Sequence, residues 1–177
     1  MWTSLRFAHN RDMAIDGNLF REIMSTFPSG VAIVTANEGD GRPRGLTVSA
    51  FCPVSLDPPL VLVCIDKSSN SLGAIRTSGG FTVNLLASGR EELARRYASK
   101  AEDKFEGIAT RQPQVTEAGP ILVDDCVAYA ACVVHSAIEA GDHFILVGRV
   151  EEGEHRSGEV PLMYGRRVFT DWAAHLP

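Results

Sequence analysis

Residues 126–154 read CVAYAACVVHSAIEAGDHFILVGRVEEGE. Cys126, Ala128, Ala130, Cys132 and Val134 recur at the two-residue period that puts alternate side chains on one face of a strand. After Gly141, the run Phe144, Ile145, Leu146, Val147 forms the body of a second strand. The reading is a hairpin, one strand over 126–140 and its partner over 142–154. The chain enters that second strand through Gly141, Asp142 and His143. Packing alone gives no reason to begin a buried strand with a histidine.

Working outward, GVAIVTA (30–36), LTVSAF (46–51), LVLVCI (60–65) and FTVNLL (81–86) also carry strand signals. The first two read as a hairpin whose long tip is the turn-rich NEGDGRPRG, with Leu46, Val48 and Ala50 on one face and Thr47 and Ser49 on the other. Segment 60–65 is apolar throughout and reads as a central strand covered on both faces. Leu19, Phe20, Ile23, Met24 and Phe27 have helical spacing, with Asp16 or Asn18 as N-cap and Pro28 beyond the end. A second short helix follows DKSSNS and stops at Gly79. A third starts with Ser88 and Glu91 at capping-box spacing, its inner face carrying Leu93, Tyr97 and Ala101.

About six strands with two or three short helices predict a mainly β fold, an antiparallel barrel closed or nearly closed, because closure removes unpaired edges. A parallel doubly wound sheet needs a helix between most strands, and this chain has too few. The domain is expected over 18–177, preceded by an arm over 1–17.

Seventeen Lys and Arg against twenty-two Asp and Glu leave a formal charge of -5 with no separate basic block, which argues against a nucleic-acid partner. The longest strongly apolar run, 60–65, falls far short of the roughly 20 residues that span a bilayer. The amino terminus lacks the pattern of a secretory signal, so a cytoplasmic protein is expected. Cys52, Cys64, Cys126 and Cys132 sit in apolar stretches without CxxC spacing and read as buried free thiols. There is no GxSxG, GxxxxGK[ST] or GxGxxG motif. His9, His135, His143, His155 and His175 form no metal-ligand pattern, so no metal is expected.

The chemistry therefore has to come from hydroxyl-rich turns beside strands, GLTVSAF, CIDKSSNS and VNLLASG. Hydroxyls and free N–H groups at a helix entrance suit a phosphate. Ser69 or Asn70 can equally serve only as the cap of that helix. Asn84, polar inside an apolar strand, needs hydrogen-bond partners, supplied either by a flat heterocycle or by a neighbouring turn.

Taken in order, FPSGVAIVTA, GLTVSAFCPVSLDPPLVLVCIDKSSNS, FTVNLLA, LARRYASK, DKFEG, AGDHFILVGRV and PLMYGRRVF span most of the chain. In this order and spacing the chain resembles the flavin reductase family of FMN-binding split barrels, the reductase components of two-component flavin-dependent monooxygenases. The resemblance implies a split-barrel homodimer that uses NADH or NADPH to reduce FMN or FAD for a separate monooxygenase. It places Thr47, Val48, Ser49 and Ala50 against the flavin ring and ribityl chain. Cys64, Asp66, Lys67, Ser68 and Ser71 would follow the ribityl phosphate, Asn84, Leu85 and Leu86 the ring side, and Arg96 the phosphate again. Gly141, Asp142 and His143 match the family's Gly-Asp-His motif, where the nicotinamide docks, and His143 is the residue assigned to the reaction. At the turn after Gly45 the family often has Met-Thr-Ala-Asn where this chain has Leu46, Thr47, Val48 and Ser49, so any side-chain bond made by that Asn either comes from Ser49 or is absent. Two other readings share the architecture: a flavin- or haem-binding protein without turnover, and a pyridoxamine-phosphate-oxidase-like enzyme. Neither needs the Gly-Asp-His corner.

Overall fold

A computed structural model describes residues 15–114 and 116–172. Its elements run α1 (Gly17–Ser25), β1 (Ser29–Gly30), β2 (Ala32–Asn37), β3 (Pro43–Val48), β4 (Phe51–Leu56), β5 (Pro59–Asp66), α2 (Asn70–Ser78), β6 (Gly80–Leu86) and α3 (Glu91–Ala98). Then come β7 (Thr110–Arg111), β8 (Ile121–Leu122), β9 (Cys126–Ala140), β10 (His143–His155), β11 (Leu162–Gly165) and β12 (Val168–Asp171). Seven strands form one antiparallel sheet in the order β3-β2-β6-β9-β10-β5-β4. Its two end strands are consecutive in sequence, joined across Ser49 and Ala50, and the Cys64 N–H donates to the Ala50 carbonyl at 3.1 Å. The sheet thus curls until its ends approach without a ladder between them, which is a split barrel. The long β9–β10 hairpin forms as its sequence predicts, with His143 opposite Ala140.

Val34, Val63, Ile65, Phe81, Val83 and Leu146 fill the barrel, and Leu72 and Ile75 of α2 pack into the same cluster. Gly148 makes this possible on β10, since a Cβ there would stand 2.5 Å from the Phe81 ring. The opposite face of β2 is also covered: Ile33 joins Leu93, Ala94 and Tyr97 of α3 and Leu162 of β11 in a second cluster.

Several local expectations change. The strand expected over 46–51 breaks at Ser49 and Ala50, both exposed, because the chain there leaves one end of the sheet for the other. In β5, Val61, Val63 and Ile65 are buried, while Leu60, Leu62 and Cys64 are only half-buried, so one face is covered and the other partly open. The parity of β9 does not run through its length. Register shifts against β6 and β10 carry Ala130, Cys132 and Val134 to the barrel cluster but not Cys126. No capping box forms at α3: Ser88 Oγ donates to Asp171 Oδ2 at 3.3 Å, and the N-cap residue, Arg90, makes no side-chain bond to the helix's first turn. The helix ends at Ala98, which leaves Ala101 exposed beyond it. Of the four thiols only Cys126 and Cys132 are buried; Cys52 is exposed and Cys64 half-buried. Asp16 caps α1 by accepting from the Asn18 and Leu19 N–H groups, yet none of the helix's residues is buried. The arm expected over 1–17 lies mostly outside the described residues, and its last residue already begins α1.

Candidate functional site

Between β3, the entrance to α2 and the segment after α3 lies a cleft of about 600 Å³. One wall is Ser68, Ser69, Asn70 and Ser71; the other carries Arg44, Lys100 and Lys104. Ser69 caps α2 by accepting the Ser71 N–H, and α2 runs nine residues, long enough for its N-terminal dipole to act on the cleft. Asp66 organises the turn that leads there: its Oδ1 accepts both the Ser68 N–H and the Ser68 hydroxyl, each at 2.7 Å. Those bonds, the hydroxyl's first, hold the Asp66 carboxyl below its usual range.

The opposite wall is tied by Lys104. Its ammonium donates to the Tyr97 carbonyl at 2.9 Å and the Gly45 carbonyl at 3.2 Å, spending two of three donors on backbone. Burial, then the charge of Arg44, pulls its pKa below the normal lysine value. Gly45 is required for the approach of the two elements, because a Cβ there would meet the Tyr97 ring at 2.6 Å. Thr47 fixes the same contact from its other side by donating to the Ala94 carbonyl at 2.7 Å. Lys104, Lys100 and Arg44 were not singled out from sequence. Lys104 lies in DKFEG, one of the segments that carry the family resemblance, but nothing local in it separates this lysine from a solvated one.

A second cleft, of about 660 Å³, begins where the first ends: Thr47 and Ala98 line both. Val48 and Ser49 line it together with α3 and the β11–β12 hairpin.

The Gly-Asp-His corner stands at the other flank of the Ser68 turn. His143 is the register partner of Asp66, and the Lys67 N–H donates to the Asp142 carbonyl at 3.0 Å. His143 Nδ1 lies 2.7 Å from Asp142 Oδ1, which holds the Asp142 carboxyl below its usual range and fixes the ring's orientation. Gly141 has φ +62°, a left-handed conformation that glycine adopts without strain.

The structure thus brings Thr47 together with Ser68 and Ser71, and sets Asp66 beside Asp142 and His143. Ala50 and Cys64 meet through their backbones where the sheet's ends approach. Burial raises the Cys64 thiol, which disfavours thiolate chemistry. Other predicted site residues stand elsewhere. Lys67 pairs with Glu139 of β9 and lines neither cleft. Arg96 turns to the Glu106 carbonyl at 3.0 Å and also lines neither, whereas Lys100 and Lys104, both beyond α3, line the first cleft. Asn84 is fully buried with its amide occupied: it donates to the Ile33 carbonyl and Thr35 Oγ1, and its Oδ1 accepts the Leu122 N–H at 2.9 Å. The neighbouring strands satisfy it, and Leu86 is equally buried; Leu85 alone of the three keeps partial exposure. Among the described residues no group of three His, Cys, Asp or Glu could hold a metal ion.

A phosphate fits the first cleft, where hydroxyls at a helix N-terminus face an ammonium. Comparison with known proteins gives the family. The family model described as flavin reductase like domain matches residues 24–173. The chain is 43% identical over 160 residues to the flavin reductase (NADH) of Kitasatospora aureofaciens, covering 89% of this chain and 83% of that protein. It is 39% identical over 155 residues to the reductase subunit HsaB of a flavin-dependent monooxygenase from Mycobacterium tuberculosis, covering 88% and 79%. The NADH:FAD oxidoreductase of Streptomyces globisporus C-1027, solved with NAD and FAD fragments, superposes with a TM-score of 0.84 at 30% identity, covering 92% of this chain and 96% of that one.

Proposed function

The chain belongs to the flavin reductase-like domain family, and on that premise we propose that it reduces FMN or FAD with NADH or NADPH and supplies the reduced flavin to a separate monooxygenase. The observation that carries this is the family match over 24–173, spanning both clefts and the Gly-Asp-His corner. Hydride passes from nicotinamide to flavin, chemistry that the two nucleotides supply themselves. The chain has to bind, orient and bring the rings together.

Ser69, Ser71 and Lys104 hold the flavin phosphate, by the helix dipole and one remaining ammonium proton. Thr47 to Ala50, at the break between the sheet's ends, border the ring, with Cys64 and Leu85 nearby. Asp66 and Ser68 keep the turn between phosphate and ring in shape. His143, braced by Asp142, meets the nicotinamide carboxamide and orients it without acting as an acid or base. The protein works as a homodimer in the cytoplasm. No helix among the described residues is long and apolar enough to cross a membrane. Purified protein mixed with NADH or NADPH and free FMN or FAD should bleach the nicotinamide absorbance; absence of turnover with every pairing would sink the reading.

A further inference from the structure

The far end of the β9–β10 hairpin carries the Gly-Asp-His corner on little packing. β6 pairs with β9 only as far as Val133, so beyond Val134 the one strand partner of β9 among the described residues is β10. Residues 137–142 are all exposed, and the ladder between β10 and β5 stops at the rung formed by His143 and Asp66. A hairpin end without a buried side chain is where local opening is easiest. His143 follows directly and is itself only half-buried.

One residue reaches across this end at three points. The Lys67 N–H donates to the Asp142 carbonyl at 3.0 Å. Its ammonium pairs with Glu139 and stands 5.7 Å from the centre of the Phe144 ring. Glu139 and Phe144 face each other across β9 and β10, so the Lys67 side chain spans both strands at a single rung, next to His143. In sequence Lys67 lies between Asp66 and Ser68, whose mutual bonds shape the turn that enters the first cleft. We propose that Lys67 is a positioning residue, which ties the hairpin end to that turn and so sets where His143 stands relative to the bound flavin. This rests on the reductase reading. Lys67 lines neither cleft, so it acts through the hairpin and not on a ligand. An exposed ion pair adds little to overall stability, so its loss is felt in the placement of the corner and not in whether the chain folds.

Steady-state kinetics and flavin binding on the full chain test this. Lys67→Met keeps the apolar stem beside Phe144 and removes the ammonium; Glu139→Gln keeps the shape of the other partner and removes its charge. Each should raise the Michaelis constant for the nicotinamide donor about three- to fivefold, the size an exposed pair can supply, with the FMN dissociation constant within about twofold of the wild type. The two variants shift net charge in opposite directions, so a mere field acting on the anionic donor would move its Michaelis constant in opposite directions. Arg76→Met removes a second cation 5.9 Å from the Phe144 ring that pairs with no carboxylate among the described residues, and it should leave the donor constant within about twofold. The exchanged pair, Lys67→Glu with Glu139→Lys, should recover most of the loss. On a His143→Ala background Lys67→Met should add less than about twofold, because a residue acting through His143 has nothing left to position. Amide hydrogen exchange over residues 139–144 reads the tie without turnover and should quicken about three- to fivefold in both single variants but not in Arg76→Met. Opposite shifts in the two variants, an FMN loss as large as the donor loss, full additivity with His143→Ala, or unchanged exchange would each overturn the assignment. A wild type that reduces no flavin would instead remove the reductase reading, and the exchange rates alone would then decide whether Lys67 holds the hairpin end.

Discussion

At the scale of single residues, His143 and Lys104 divide the site between donor and flavin. His143 is half-exposed, and its Nδ1 is committed to Asp142, so the other ring nitrogen is free for a ligand. His143→Ala should therefore raise the Michaelis constant for the nicotinamide donor well above any change in flavin dissociation constant; equal losses would make it a structural residue. Lys104 has one donor left after Gly45 and Tyr97 take two. Lys104→Met should weaken FMN by about tenfold or more and leave riboflavin, which lacks the phosphate, nearly unchanged. The pH dependence has two opposite signs. The fold lowers the Lys104 pKa, so the folded chain gives up this proton before the unfolded one, and the stability cost of the buried charge is relieved as pH rises from the folded pKa toward 10.5. FMN affinity needs the ammonium and falls over the same rise. Titrating FMN binding and thermal stability together in the alkaline range checks both, and a parallel rise would exclude the ammonium as the phosphate's partner.

At the scale of elements, the site depends on α3 lying against β3. Gly45 permits it, Thr47 and Lys104 fasten it, and Tyr97 fills the space between, edge-on to Phe105 at 5.2 Å. Gly45→Ala would push Cβ into the Tyr97 ring, an overpacking that costs about 1–3 kcal/mol. Melting temperature and FMN affinity should fall together. Tyr97 is fully buried, its hydroxyl has no partner among the described residues, and burial pushes its pKa up. Tyr97→Phe should therefore be neutral or stabilise by up to about 1 kcal/mol, measured by denaturant unfolding, since it removes a desolvated group that makes no bond. The longer elements were legible, because apolar β-branched runs and turn residues mark β2, β5, β6 and the β9–β10 hairpin, whereas the short strands β1, β7, β8, β11 and β12 were not read among the six or so expected. What the sequence could not show is where local rules yield to distant partners. Ser88 and Glu91 have capping-box spacing, yet Ser88 goes to Asp171, eighty-three residues away. Lys104 is set by Gly45, fifty-nine residues earlier. The β9 parity fails at residues that pairing with two neighbours leaves over, which no single-strand pattern reveals. Asn84 was visible as an anomaly, but only the positions of Ile33, Thr35 and Leu122 decide between its two readings.

At the scale of the whole molecule, none of the apolar stripe of α1 is buried within the described chain. Leu19, Phe20, Ile23 and Met24 are each between 43% and 53% exposed, and Phe27 reaches 74%. The helical period was read correctly from the sequence, but a period states only that one face seeks cover, not whether the cover comes from the same chain. Fully burying a side chain of this kind is worth about 1.5–3 kcal/mol, so four α1 side chains only about half covered, with Phe27 just beyond the helix, leave part of that term unrealised, and contiguous apolar surface of that sort marks an association site. A second copy accounts for it within the proposed homodimer, since a twofold interface buries the same patch twice. The α1 C-terminus is also coupled to the second cleft: the Arg166 N–H donates to the Ser25 carbonyl at 2.6 Å, and Arg167 follows it into the lining. Sedimentation equilibrium should give the wild type about twice the 19.1 kDa chain mass. Ile23→Asp and Phe27→Asp, placed on exposed positions that the monomer fold does not use, should weaken dimerisation at least about tenfold each while far-ultraviolet circular dichroism stays unchanged. If association on α1 steadies the β11–β12 hairpin, flavin or donor affinity falls with the dimer and recovers at high protein concentration. A monomeric wild type, or variants that remain dimers, would show that α1 serves a different partner.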